Sequence, residues 1–234
     1  MIPVGVVVER SIRNVIIQIN LFSIMPKKIV IVRHGRTKFN YKDLMQGQLQ
    51  VSLDLVGIKQ AQRTAHELKD QIFDALLSSD LPRTMQTAQK IAEKLNMDII
   101  SVPQLRERAL GVLEGKHKND VFKLLGIDEN QEAHHIWLFQ ENSDLHEKFM
   151  IEKRDDMYRR IKTFVSDIRK QYKNKQLLIV SHGGTIRVLL YFLGFKDKEF
   201  LKKLPIKNAS IIALKKQGTK YTIEQLLKNR KSGL

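Results

Sequence analysis

The chain of 234 residues contains no cysteine. This absence excludes a disulfide framework, a thiol nucleophile, and zinc or iron–sulfur sites that depend on cysteine ligands. Because it also suits a reducing compartment, we expect a cytoplasmic protein. Acidic residues are scarce: 41 Lys and Arg stand against 25 Asp and Glu, and the formal net charge is +16. A field of this sign attracts phosphates, nucleic acids and anionic membranes.

Long uninterrupted apolar runs are also missing. The apolar segments at 1–8 and 15–25 fall short of the roughly 18–20 residues of a membrane-spanning helix. No signal-peptide pattern accompanies them, so we expect no transmembrane span. We interpret residues 1–26 as an N-terminal extension that is either not native or disordered. A membrane-surface or partner anchor is the alternative interpretation.

A short apolar run at 29–32 leads directly into Arg33, His34 and Gly35. The run predicts a strand buried on both faces, and ligand sites in open α/β sheets lie just past such strand ends. Arginine offers a planar fork that suits phosphate, and glycine lets a ligand approach the backbone. On this stretch alone, a phosphate site and a basic turn with a core histidine are equally supported.

A second strand, predicted from Gln176 onward, ends in the same way with His182 and Gly183. Arg83 follows Pro82 at a predicted helix start, where backbone amides also favour anions. Strands and helices alternate along the chain. This order predicts an α/β fold, a three-layer sandwich with a mostly parallel central sheet and helices on both faces. We expect one domain over 27–226, with an insertion at about 116–150 that caps or lines the site, and a basic tail at 227–234.

Two imidazoles and two guanidiniums at neighbouring strand ends would form a receptor for a phosphoryl group. A histidine nitrogen can attack phosphorus to form a phosphohistidine, while the cations stabilise charge on the transferring group. A carboxylic acid must then protonate the leaving alcohol. Glu107, after the third predicted strand, is the first candidate, Glu114 the second and Asp80 the third. With this many organic cations, we expect neither a metal nor a cofactor.

These motifs resemble those of the histidine phosphatase superfamily, the phosphoglycerate mutase-like family, over about Lys28 to Leu214. In chain order they are Arg33-His34-Gly35 with Thr37 and Asn40, Gln46-Gly47, Ser78-Ser79-Asp80-Leu81 with Arg83, Thr87 and Ala88, Leu105 with Glu107, Leu113-Glu114-Gly115, and Ser181-His182-Gly183. The resemblance implies a phosphoglycerate mutase-like fold.

The resemblance also implies roles for single residues. His34 would be the phosphorylated nucleophile and Glu107 the proton donor. Arg33, Arg83 and His182 would form the phosphate pocket. Four further positions are implied with them: Asn40 and Gly183 at the phosphoryl group, and Gln46 and Gly47 at the pocket edge. Turn chemistry is the alternative role for Asn40 and Gln46.

The chain departs from the family pattern in three places. Arg36 stands where members often carry Glu, and at the pocket edge it would tune the choice of substrate. Leu113 replaces a common Trp. The usual Pro-Gly-Gly-Glu-Ser segment is absent, and 140–144 is the nearest stretch, which leaves the insertion's contribution to the substrate pocket open.

The motif set favours a phosphomonoester hydrolase that acts on a small phosphorylated metabolite. A cofactor-dependent phosphoglycerate mutase-type phosphotransferase is the alternative, because both share the phosphohistidine step. A basic phosphate- or nucleic-acid-binding module is an alternative of another class, since residues 196–234 hold eleven Lys and Arg against three acidic residues. The sequence contains no basic motif interleaved with aromatic residues, which nucleic-acid binding would favour. We therefore expect no nucleic-acid binding. The natural substrate and the oligomeric state stay open, a dimer included.

Overall fold

The computed structural model describes residues 25–125 and 143–227, so most of the predicted extension, the middle of the insertion and nearly all of the predicted tail lie outside the described residues. One six-stranded sheet organises the described part. Its strands are β1 (Lys28–Arg33), β2 (Ala75–Ser78), β3 (Ile99–Ser101), β4 (Gln176–Ser181), β5 (Ile211–Gln217) and β6 (Lys220–Leu227). The order across the sheet is β3-β2-β4-β1-β5-β6.

Helices connect these strands and cover both faces of the sheet. They are α1 (Lys38–Tyr41), α2 (Leu55–Leu68), α3 (Pro82–Leu95), α4 (Lys118–Leu125), α5 (Ser143–Phe149), α6 (Arg154–Gln171), α7 (Gly183–Leu193) and α8 (Lys198–Lys203), with short 3₁₀ turns at Pro103–Leu105 and Gly111–Leu113. No helix in the described ranges is long and apolar enough to cross a membrane.

The central strand β1 is buried on both faces, as its apolar run predicts. Ile29 and Ile31 belong to the apolar cluster shared with α6 and α7, whereas Val30 and Val32 belong to the cluster shared with α2 and α3. Alternate side chains point to opposite faces of a strand, so a strand between two helical layers must be apolar throughout. The predicted three-layer sandwich is confirmed.

Strand direction decides where the site forms. β4 is parallel to β1 and β2, and β2 is parallel to β3. β5 is antiparallel to β1 and to β6, so the sheet is mixed but mostly parallel, as predicted. The carboxyl ends of β1, β2 and β4 therefore lie at one edge of the sheet, where open α/β sheets place their ligand sites.

Two residues directly before Lys27 contact the packed core. Met25 is fully buried in the larger apolar cluster, and the carbonyl of Pro26 accepts a hydrogen bond from the Tyr221 hydroxyl at 2.8 Å. These two residues were predicted to close the extension. Both residues nevertheless contact the described core, because the β5–β6 hairpin and the main apolar cluster provide partners that the sequence alone does not reveal.

Candidate active site

Two histidines meet at the carboxyl edge of the sheet. His34 directly follows β1, and His182 directly follows β4. Because the two strands are parallel neighbours with Arg33 opposite Ser181, the imidazole rings come together with their centroids 5.2 Å apart. Both side chains are buried. The pairing of the two His-Gly motifs is thus a direct consequence of strand order.

Close backbone packing shapes the loop that follows His34. The amide of Gly35 donates to Thr87 Oγ1 on α3 at 3.1 Å. A Cβ at Gly35 would lie 2.5 Å from the carbonyl oxygen of Gly57 in the first turn of α2, and a Cβ at Gly57 would lie 1.9 Å from the carbonyl oxygen of Arg36. Only glycine permits this approach. Gly57 was not among the residues predicted from the sequence.

The tautomer of His34 exposes one nitrogen for chemistry. Its Nδ1 lies 2.7 Å from the carbonyl oxygen of Gly35, and since a carbonyl only accepts, Nδ1 carries the proton. Nε2 therefore keeps its lone pair. Burial, followed by the charges of Arg83 and Arg33, holds the pKa of His34 well below its usual range. The imidazole is thus neutral near physiological pH, which is the form that can act as a nucleophile.

His182 has the opposite tautomer. The Nε–H of Arg83 donates to His182 Nδ1 at 3.2 Å. The neutral ring therefore carries its proton on Nε2, which lies 2.9 Å from the Oγ of Ser79, the residue directly after β2. Burial, followed by the charges of Arg83, His34 and Arg33, holds the pKa of His182 well below its usual range. His182, which was expected in the phosphate pocket, is not among the described residues that line the cleft. It accepts the hydrogen bond that helps to hold Arg83.

Arg83 lies in the first turn of α3, as Pro82 predicts. Its Nη1 and Nη2 donate to the carbonyls of Leu49 at 3.0 Å and Gly47 at 2.7 Å, and its Nε donates to His182. Burial lowers the pKa of Arg83 to about 10, so the guanidinium stays charged at neutral pH. Three fixed acceptors hold this cation in place before any ligand arrives.

Arg33 retains an unused donor. Its Nη1 donates to the carbonyl of Ile206 at 2.8 Å, but its Nε is buried without a hydrogen-bond partner among the described residues. Burial lowers the pKa of Arg33, and Glu107 opposes this shift. A buried donor left unpaired costs about 1–3 kcal/mol. A bound phosphate oxygen could supply the missing acceptor.

A third guanidinium, Arg187, was not predicted from the sequence. It lies on α7 and lines the cleft, and its Nη1 donates to the carbonyl of Gly183 at 2.9 Å. Its Nε and Nη2 donate to the carbonyls of Leu201 at 3.0 Å and Leu204 at 2.8 Å, and burial lowers its pKa to about 10. The available signal was an arginine four residues after Gly183 in an otherwise apolar helix, because residues at this spacing share a helix face.

Only one of the three candidate acids lines the cleft formed by the described residues. Glu107 Oε2 accepts from the amide of Gly184 at 2.9 Å, and Oε1 accepts from the amide of Thr185 at 3.1 Å. Glu114 instead accepts from the amides of Gln48 and Leu110, and Asp80 forms a two-pronged pair with Arg106. Their occupied oxygens bind the surrounding loops together.

The predicted residues Asn40 and Gln46 combine turn chemistry with a place in the lining. Asn40 closes a capping box with Thr37 at the start of α1, and Gln46 Oε1 accepts from the Thr37 hydroxyl at 2.9 Å. Both line the cleft together with Gly47 and Gly183. The two alternatives weighed for Asn40 and Gln46 are therefore compatible.

Arg36, predicted at the pocket edge, is not brought to the cleft. Its Nε pairs with Asp54 Oδ2 at 2.8 Å, and its guanidinium lies 5.1 Å from the centroid of the Tyr41 ring. It is absent from the lining residues. The sharp turn after His34 directs this side chain toward α2, where the cap of that helix provides a carboxylate.

The rest of the cleft is apolar, and its volume is about 180 Å³. The lining residues are Arg33, His34, Asn40, Leu44, Met45, Gln46, Gly47, Arg83, Glu107, Leu110, Gly183, Gly184 and Arg187. Described residues of the insertion, Val121 and Phe149, pack with Leu110. The described part of the insertion therefore supports the cleft wall without lining it.

Charge in the cleft is unbalanced in favour of an anion. Among the described residues that line it, three guanidiniums face one carboxyl group, and burial keeps both histidines neutral. Arginines held by backbone carbonyls cannot reorient, so their field is preorganised for a phosphoryl group rather than induced by it. With the Nε2 lone pair of His34 in the same lining, the arrangement can bind a phosphate ester and attack its phosphorus atom.

Comparisons with known proteins agree with this geometry. A model of the histidine phosphatase superfamily (branch 1) matches residues 29–229. Phosphoglycerate mutase-like protein 4 of Arabidopsis thaliana is 36% identical over 200 residues, which cover 84% of this chain and 83% of that protein. The metal-independent phosphoserine phosphatase of the same plant is 32% identical over 192 residues, covering 81% of this chain and 77% of that protein.

A solved structure extends the similarity to three dimensions. The mycobacterial glucosyl-3-phosphoglycerate phosphatase in complex with VO3 superposes with a TM-score of 0.71 at 26% sequence identity. The alignment covers 85% of this chain and 97% of that chain.

Proposed function

The chain belongs to the histidine phosphatase superfamily and is a phosphatase, and we propose that its cleft hydrolyses a small phosphorylated metabolite through a phosphoryl group carried on His34. The observation that carries this proposal is the neutral His34 with a free Nε2 in a lining that also holds three fixed guanidiniums.

In the first step, the lone pair of His34 Nε2 forms a bond to phosphorus while the bond from phosphorus to the ester oxygen breaks. Arg33 and Arg83 stabilise the charge on the remaining phosphoryl oxygens. Glu107, in its protonated form, transfers its proton to the leaving oxygen, so the product departs as an alcohol.

In the second step, water attacks the phosphorus of the phosphohistidine and the phosphorus–nitrogen bond breaks. Glu107, now a carboxylate, accepts the proton of the attacking water, since the group that acts as acid in one direction acts as base in the other. Inorganic phosphate leaves, and both His34 and Glu107 return to their starting forms.

The proposed substrate is a small metabolite because the cleft is small and the relatives act on small molecules by name. One relative is called a phosphoserine phosphatase, and one structural neighbour a glucosyl-3-phosphoglycerate phosphatase. The apolar wall formed by Leu44, Met45 and Leu110 would contact the leaving group. The cytoplasmic location and the absence of nucleic-acid binding stay predictions.

A mutase would share the first step and differ only in the acceptor of the phosphoryl group. The relative named phosphoglycerate mutase-like protein 4 supports mutase activity as the second candidate function. Isomerisation of 3-phosphoglycerate in the presence of the bisphosphate, faster than its hydrolysis, would favour the mutase. We expect hydrolysis to be faster.

The central test uses p-nitrophenyl phosphate with and without EDTA. We expect turnover to be unaffected by EDTA, and H34A to lose at least about a thousandfold in kcat because the nucleophile is gone. His66, exposed on α2, provides the matched control, and H66A should keep the wild-type rate. Rapid quench with a ³²P-labelled phosphate ester should leave a phosphoryl label on His34. Intact turnover in H34A would refute the proposal.

A further inference from the structure

Asn208 lies in the segment that precedes β5 and contacts the active-site loop from outside the cleft. Its Nδ2 is within hydrogen-bonding distance of three oxygens: the His34 carbonyl at 3.2 Å, Asn40 Oδ1 at 3.1 Å and the Gly35 carbonyl at 3.4 Å. Asn208 is not among the lining residues, and the mechanism above does not use it.

The Gly35 carbonyl is shared between Asn208 and the nucleophile. His34 Nδ1–H donates to this oxygen at 2.7 Å, while Asn208 approaches it at 3.4 Å. The Asn208 contact is the longer of the two and adds a second restraint on the orientation of this oxygen. The orientation of this carbonyl keeps the His34 proton on Nδ1 and the lone pair on Nε2.

Asn208 also orients the amide group of Asn40. Asn40 Oδ1 accepts from the Thr37 amide at 3.2 Å and from Asn208 Nδ2 at 3.1 Å. It also lies 3.1 Å from the Thr37 hydroxyl, whose single proton is donated to Gln46 Oε1. With its oxygen facing these donors, the amide group turns its Nδ2 the other way. No described residue accepts from Asn40 Nδ2, and Asn40 lines the cleft, so this donor is available to a bound phosphoryl oxygen.

We propose that Asn208 is a positioning residue for the reaction, an inference that rests on the proposed function. By donating to the carbonyls of the His34 loop and to Asn40, it aims the attacking nitrogen and one phosphate donor at the same point. It touches neither substrate nor reacting atoms.

Two substitutions separate this donor role from simple packing. N208L keeps a branched side chain of similar size but removes the donor, and N208D keeps the shape but places acceptor oxygens against three acceptor oxygens. We expect kcat on p-nitrophenyl phosphate to fall about 10- to 100-fold in each, since misplacement of reacting groups by a fraction of an ångström to 1 Å has effects of this size. KM should change less than about threefold.

The control variants make the same changes at Asn119, which is exposed on α4. N119L and N119D should keep the wild-type kcat and KM. Because N119D adds the same charge as N208D, it also corrects for the change in net charge.

Single-turnover labelling of His34 distinguishes misplacement from misfolding. A variant that merely unfolds would label fewer sites at the wild-type rate, whereas misplacement lowers the labelling rate of every folded site. We expect a labelling rate more than threefold below wild type in N208L, and a rate within threefold of wild type would overturn the proposal. Failure of the wild-type chain to label His34 would instead refute the proposed function, so the two failures are distinguishable.

Discussion

The substitution G57A tests whether the first turn of α2 sets the position of the nucleophile loop. A methyl group added at Gly57 would lie 1.9 Å from the carbonyl oxygen of Arg36, whereas ordinary contact begins near 3.4 Å. The two backbones would have to separate by about 1.5 Å to relieve the overlap. The obstacle is backbone on both sides, so no side-chain rotation can remove it.

Hydrogen bonds between the loop after His34 and the start of α2 would break if the two backbones separated. The Asp54 amide donates to the Arg36 carbonyl at 3.0 Å, and the Arg36 amide donates to Gln60 Oε1 at 2.8 Å. Because Arg36 is two residues from His34, displacement of its backbone moves the nucleophile. A shift of about 1 Å can cost about a hundredfold in rate, and overpacking costs about 1–3 kcal/mol of stability. We expect kcat/KM of G57A to fall about a hundredfold.

The assay is hydrolysis of p-nitrophenyl phosphate, paired with denaturant unfolding of the same samples. G218A is the control. Gly218 has a φ of +58° in the turn between β5 and β6, and a Cβ there would meet open space. G218A should lose about 1–2 kcal/mol from the left-handed backbone conformation and keep its activity. Activity of G57A within threefold of wild type would refute the rigid coupling between α2 and the loop.

In ¹⁵N spectra of the imidazoles at pH 6.5, His34 and His182 should both be neutral, because burial lowers both pKa values. The proton should be on Nδ1 in His34 and on Nε2 in His182. An imidazolium signal from either residue would contradict the burial argument. Because their folded-state pKa values lie below the unfolded value of about 6.5, the unfolded chain binds more protons as the pH falls below 6.5. The free energy of unfolding should therefore decline below that pH, and a value unchanged between pH 7 and 5 would count against it. The half-buried Arg160 pairs with Glu152 and donates to three backbone carbonyls, so R160M should lower the free energy of unfolding by about 3 kcal/mol. R159M loses only an exposed ion pair on the same helix and should lower it by less than about 1 kcal/mol. Equal losses in urea unfolding would disprove the distinction. R36A should change kcat/KM less than threefold, since the Arg36 guanidinium pairs with Asp54 outside the lining, and a tenfold change would restore its predicted role in substrate choice.

The active site divides into groups held by short-range and by long-range contacts. Arg83 is presented by its own helix start, and the loop after His34 is closed by a local capping box. The tautomer of His34 is set by the carbonyl of the adjacent Gly35. The tautomer of His182 depends instead on a distant partner, because Arg83 donates to His182 across 99 residues of sequence. Removal of a distant partner should therefore alter chemistry more than it alters secondary structure.

The choice among the three candidate acids shows why spacing alone was insufficient. Glu107, Glu114 and Asp80 all follow predicted elements near the site, and each is an ionisable carboxyl group. In the folded chain, Glu107 lies at the amino end of α7 in the cleft, whereas the other two are occupied by loop amides and by Arg106. Competition among partners for each carboxylate is decided by tertiary packing.

The sequence by itself determined the elements and the core of the site. Apolar runs that end in His-Gly predict buried strands with polar ends, and Pro82 predicts the helix start that presents Arg83, because strand burial and helix initiation depend on neighbours in the chain. Tertiary structure alone decided that Arg187 joins the lining, that Arg36 leaves it, that Gly57 allows the loop to close and that Asn208 reaches the His34 loop across 174 residues. These outcomes depend on which strands become neighbours and on distances of tenths of an ångström between them, and no local pattern encodes either.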